Sequence, residues 1–176
     1  PSEPSPAEGG SWQSPATDSE GNLYMADFYN NRVLKYNDPF NSDVIADDVW
    51  GQPDFTSYKC DRGGPVSNSG FCFINYAPVK PVVGGVDIDK KGNLWVVDGG
   101  NNRVLRFPKV GNSIKKEADL VLGQPNFTSK SPGVDLNKLN APTVVRVNTA
   151  GTVYVGDAQN GRVLYYPSPT TGMTGK

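Results

Sequence analysis

Three ten-residue phrases carry the side chains best suited to chemistry: DFYNNRVLKY at 27–36, DGGNNRVLRF at 98–107 and DAQNGRVLYY at 157–166. Each opens on an aspartate (Asp27, Asp98, Asp157) and holds an arginine in sixth place (Arg32, Arg103, Arg162). An Asp–Arg pair with asparagine between could clamp an anionic substrate or polarise a carbonyl oxygen. Catalysis needs such a set once, whereas a structural brace is needed in every repeat. Each Asp ends an apolar run and each Arg begins the next, so the two face one another across a turn. The expected role is therefore structural: a bidentate ion pair closing the hairpin, with the carboxylate also accepting backbone N–H groups of its own turn.

The remaining chemistry is bounded by what the chain lacks. It has no histidine, which excludes Ser-His-Asp triads, Cys–His pairs and histidine metal sites within these residues. Cys60 and Cys72 flank the loop-like DRGGPVSNSGF. Two thiols without histidine make a poor zinc site, so a disulfide is expected, worth about 3 kcal/mol for a loop of this size. That bond implies an oxidising setting, extracellular or at the cell surface. NFT at 126–128 makes Asn126 a glycosylation candidate. No EF-hand run is present, no cofactor is expected, and calcium on carbonyls and scattered carboxylates stays open. Tyr58, Phe71, Phe73 and Tyr76 surround the cysteine loop and form the expected contact surface for a protein partner or a glycan. A net charge of −1 without a basic, aromatic-interleaved strip argues against nucleic acid. Apolar runs of only a few residues argue against membrane insertion.

The elements that must position these residues follow from the repeat. The similarity extends upstream, through DSEGNLYMAD (18–27), DKKGNLWVVD (89–98) and NTAGTVYVGD (148–157). It also extends downstream, through ADDVWGQPDFTS (46–57) and ADLVLGQPNFTS (118–129). Within one unit, GVDID alternates as a short strand, KKGN is a turn, LWVV is a buried strand and RVLRF alternates again. ADLVLGQ is a fourth strand closed by Pro125. Tyr24, Trp95 and Tyr154 recur in the second strand, and Tyr36, Phe107 and Tyr166 end the third, which points to packing between units. The chain divides into a Pro/Ser-rich tail (1–11), a first unit (12–57), a disulfide-containing insertion (58–83), a second unit (84–129), an incomplete third unit (130–169) and a tail (170–176).

GNLYMADFYNNRVLKY, GNLWVVDGGNNRVLRF and GTVYVGDAQNGRVLYY together resemble the NHL repeat, and the GQPDFTS-type linkers resemble those of large extracellular or bacterial NHL proteins. The resemblance implies an all-β fold: a partial β-propeller of about three four-stranded blades, where a closed ring takes four to eight. It leaves the third blade without its outer strand and two apolar blade faces open. Amidating lyases of this shape hold zinc with histidines, which this chain lacks. The expectation is therefore no enzyme. The expected role is a non-catalytic extracellular interaction or structural module that self-associates with other copies, by closing a ring or building a filament. Residues 1–11 of a neighbour would fill the missing strand. The alternative is a segment of a larger six-bladed lyase or lactonase-like hydrolase whose active site lies outside these residues.

Overall fold

The computed structural model describes residues 12–73 and 84–176, with residues 12–14 described by backbone alone. The first blade is β1 (Trp12–Thr17), β2 (Leu23–Asp27), β3 (Arg32–Tyr36) and β4 (Asp48–Trp50), hydrogen-bonded in that order. The second is β5 (Gly84–Ile88), β6 (Leu94–Asp98), β7 (Arg103–Phe107) and, beyond a two-stranded ribbon of β8 (Lys109–Val110) and β9 (Ser113–Ile114), β10 (Leu120–Leu122). The third is β11 (Pro142–Val147), β12 (Val153–Asp157) and β13 (Arg162–Tyr166). The β8–β9 ribbon is an addition to the four-strand reading of the second unit.

The first hairpin of every blade is set by one side chain. Asp18, Asp89 and Asn148 each use Oδ1 to accept two backbone N–H groups of their own turn: Glu20 and Asn22, Lys91 and Asn93, Ala150 and Thr152. This Asx geometry frees the chain to reverse at Gly21, Gly92 and Gly151, all with φ between 80° and 85°.

The inner strand β5 packs against both β1 and β11, so the three blades stand side by side. One core fills the space between the first two blades, with Tyr24, Val33, Trp50, Phe71, Val96 and Phe107 among its members. A second fills the space between blades two and three, with Trp95, Val104, Leu122, Val155 and Tyr166. Burial of both sheet faces explains why LWVV (94–97) is apolar throughout.

The third sheet has three strands, as expected, with one further backbone pair on the outer edge of β13. Lys176 exchanges both backbone hydrogen bonds with Tyr165, at 3.1 Å each. This is the place that Asp48 takes opposite Lys35 and Leu120 opposite Arg106. Lys176 thus occupies a fourth-strand position beside β13. The expectation of two open blade faces requires correction: among the described residues, one blade face is open. Leu34, Tyr36 and Val49, on the outward face of blade one, are buried. On the opposite face of blade three, Val163 is 66% exposed and Tyr154 and Tyr165 are each 41% exposed.

Candidate functional site

The three Asp–Arg pairs lie at one end of the blades, where β2, β6 and β12 each turn into the next strand through a short 3-10 helix. Each arginine spends only Nε on its aspartate, at 2.8, 2.7 and 2.8 Å for Arg32, Arg103 and Arg162. The expected bidentate pairing is therefore corrected. The other guanidinium nitrogens reach carbonyl oxygens of the loops that enter or leave the arginine's own blade. Arg103 donates to Phe127 O (2.6 Å), Ser67 O (2.8 Å) and Gly70 O (3.1 Å). Arg162 donates to Val134 O (2.6 Å), Asp135 O (2.9 Å) and Lys138 O (3.0 Å). Arg32 donates to Phe55 O.

The carboxylates also bond differently from expectation. They accept N–H groups from the chain arriving at the blade rather than from their own turn. Cys72 N–H donates to Asp98 Oδ1 and Asn140 N–H to Asp157 Oδ1, both at 2.7 Å. The first asparagine of each motif completes the carboxylate shell: Asn30, Asn101 and Asn160 donate to Asp27, Asp98 and Asp157. Both oxygens of Asp98 and of Asp157 thus accept structural donors, three hydrogen bonds to each carboxylate.

The second asparagine links neighbouring blades. Asn31 donates to Tyr58 O (2.9 Å) and accepts from Phe73 N–H (2.8 Å). Asn102 does the same with Lys130 O (2.9 Å) and Ala141 N–H (2.8 Å). Both are left-handed, with φ of 50° and 54°. The third repeat keeps that conformation with Gly161 but loses the side chain. Gln52 and Gln124, from the GQP phrases, bond the same connections through Nε2. Their Oε1 atoms are buried without a hydrogen-bond partner.

Cys60 and Cys72 form the disulfide. Its loop is fastened to blade two: Asn101 Nδ2 donates to Asp61 Oδ1 at 2.7 Å, and Gly100 N–H donates to Cys72 O at 2.8 Å. Gly100 has no room for a side chain there, since a Cβ would lie 2.2 Å from Cys72 O. Among the described residues, Cys60, Asp61 and Cys72 are the one grouping of three metal-type ligand atoms. With its sulfurs bonded to each other, it offers a single carboxylate. Of the expected contact aromatics, Phe71 and Phe73 are wholly buried, stacked at 5.2 Å, and belong to the core. Tyr58 is 50% exposed. Tyr76 lies outside the described residues.

Sequence reasoning did not single out the charged side chains on the inner strands. Ala16, Asp87 and Arg146 occupy the same register position, opposite Tyr24, Trp95 and Tyr154. The repeat thus places a charge there in blades two and three. Asp87 Oδ2 accepts Val147 N–H at 2.7 Å, and Arg146 Nη1 donates to Val145 O at 2.8 Å. Partial burial pushes the Asp87 carboxyl up, against the pull of Val147 N–H and Arg146. A half-buried acid with a raised pKa marks a candidate site, although structural ion-pair networks raise acids in the same way. At the far end of the blades, a cleft of about 670 Å³ is lined by Asp89, Lys91, Trp95, Arg106, Asn148 and Thr170. Trp95 Nε1 donates to Asp89 Oδ2 at 3.0 Å on its floor.

No family model matches the chain. Solved structures do. A gluconolactonase from Xanthomonas campestris aligns with 96% of this chain and 47% of its own, at 17% identity and a TM-score of 0.54. A protein of unknown function from Bacteroides thetaiotaomicron aligns with 89% of this chain and 33% of its own, at 17% identity and a TM-score of 0.50. Virginiamycin B lyase from Staphylococcus aureus aligns with 92% and 42%, at 15% identity and a TM-score of 0.43. The chain thus spans less than half the length of each. The fold is that of a β-propeller, present here in part. The gluconolactonase is an enzyme, which overturns the expectation of no enzyme. Among the described residues no helix is long and apolar enough to cross a membrane.

Proposed function

We propose that this chain is part of an extracellular NHL-type propeller enzyme, a lactonase-like hydrolase or lyase, whose remaining blades cover the open face of blade three. The observation that carries this reading is positional. Val163 is 66% exposed, whereas its register equivalents Val33 and Val104 are fully buried beneath the following blade. Tyr154 replaces Tyr24 and Trp95, and Tyr165 replaces Lys35 and Arg106, leaving an aromatic pair 6.2 Å apart on that face. An apolar sheet face of this kind is built to be covered. The gluconolactonase, with about twice the aligned length, supports a ring in which as many residues again complete the fold. The disulfide supports the extracellular setting. Within the completed ring, Asp87 is the acid–base group contributed by this chain, with Arg146 beside it.

The missing blades come from the same polypeptide or from a second copy, and light scattering of the 176-residue chain separates a monomer from a dimer. The completed particle is then assayed for acid release on a panel of sugar lactones. Asp87→Asn should lower turnover at least tenfold while leaving the unfolding midpoint in place. Turnover unchanged by Asp87→Asn, or a completed particle unaffected by Val163→Asp, overturns this reading.

A further inference from the structure

The loop after β10 repeats the loop after β4, with one substitution: PNFTS at 125–129 stands where PDFTS stands at 53–57. In the first loop, Asp54 Oδ1 accepts Thr56 N–H (2.9 Å), Thr56 Oγ1–H (2.9 Å) and Ser57 N–H (2.7 Å). Those donors, Ser57 N–H first, hold the carboxyl down at about 2. In the second loop, Asn126 Oδ1 accepts Thr128 N–H (3.1 Å), Thr128 Oγ1–H (3.0 Å), Ser129 N–H (3.0 Å) and Ser129 Oγ–H (2.9 Å). The turn requires one acceptor oxygen, and an aspartate supplies it equally well. The asparagine therefore brings a group that the turn does not use. Among the described residues, Asn126 Nδ2 donates no hydrogen bond, and Asn126 and Thr128 are both exposed. Hydroxyl donation to Oδ1 draws electron density onto the oxygen and makes the Nδ2 protons easier to remove.

We infer that Asn126 is an acceptor for an N-linked oligosaccharide, and this goes beyond the proposed function without resting on it. Asn126–Phe127–Thr128 is the one N-x-S/T triplet in the chain. The donor is an oligosaccharide linked to a polyprenyl diphosphate. Nδ2 attacks the anomeric carbon, an N–C bond forms and the C–O bond to the diphosphate breaks. The lipid diphosphate leaves with the electron pair, and one Nδ2 proton passes to a base of the transferase. No electrons are exchanged with any third reagent.

The test is secretion of the full 176-residue chain, behind a signal segment, from a eukaryotic host, followed by intact-mass measurement. The expected result is a discrete mass gain, removed by peptide-N-glycosidase with conversion of residue 126 to aspartate. The gain is absent from Asn126→Asp and Thr128→Ala, and persists at reduced occupancy in Thr128→Ser. Asn126→Asp should unfold at the same temperature as the unglycosylated parent, because Asp54 already serves the twin turn. An unmodified chain, secreted with Cys60 and Cys72 bonded, overturns the assignment. So does a gain that survives Thr128→Ala.

Discussion

Arg103 and Arg162 occupy the same position in their repeats but differ in burial, and the difference sets what each is worth. Arg103 is wholly buried, whereas the Arg162 side chain is 23% exposed. Arg103→Ala leaves Asp98 charged, buried and unpaired, and strips the donors from Phe127, Ser67 and Gly70 carbonyls. Denaturant unfolding should read a loss of about 3–5 kcal/mol. Arg162→Ala should cost distinctly less, because water reaches the groups it abandons. Tyr166 shows the opposite logic. Its hydroxyl is buried without a partner, and its phenol is pushed up to about 12, mainly by burial and then by Asp157, against Arg162. The folded state therefore keeps a proton that the unfolded chain releases near pH 10. Stability tied to this group is intact below pH 10 and falls as pH rises toward 12. Phe107 fills the same place in blade two without a hydroxyl. Tyr166→Phe should be neutral or stabilising by about 1 kcal/mol, and should flatten the alkaline limb of a stability–pH curve. Tyr24 and Tyr36, both also raised by burial, keep part of that limb.

At the scale of elements, each blade is an autonomous hairpin set and the connections are where specificity enters. Asn102 holds the outgoing loop at Lys130 O and the incoming strand at Ala141 N–H. Asn102→Gly retains the left-handed backbone, as Gly161 does in the third repeat, but abandons both bonds. The buried N–H of Ala141 is then unsatisfied, and urea denaturation should show a loss of about 1–3 kcal/mol. Asn102→Ala should lose more, because alanine also pays for a positive φ of 54°. If the two variants were equally stable, the bonds rather than the backbone would carry the whole effect.

At the scale of the molecule, the open face of blade three governs behaviour in solution. Val163→Asp places a charge among Val144, Tyr154 and Tyr165 on the uncovered face. In the isolated chain it should change the unfolding free energy by less than about 0.5 kcal/mol, as an exposed substitution does. In the completed particle the same charge is buried without a partner, and assembly should fail in light scattering. The contrast between these two measurements locates the interface on that face.

The four-strand unit and its hairpins were legible in the sequence, because they rest on contacts within about ten residues and recur from unit to unit. The turn at KKGN and the Asp–Arg pairing across the second hairpin were legible in the repeat. The paired cysteines followed from composition and loop character in the same way. Only the tertiary structure decided what the second ends of those side chains hold. The arginine forks grip loop carbonyls and the carboxylates grip the incoming chain, across separations set by how blades stack. It also decided that Phe71 and Phe73 are core rather than surface, since a loop aromatic looks the same in sequence whether or not a neighbouring blade covers it. The charge at Asp87 and Arg146 was visible in the aligned repeats as a departure from Ala16. Its meaning depended on the inner strands lying side by side. Exposure of Val163 was decided in the same way: burial is a property of the neighbour, and among the described residues none covers that face of the third blade.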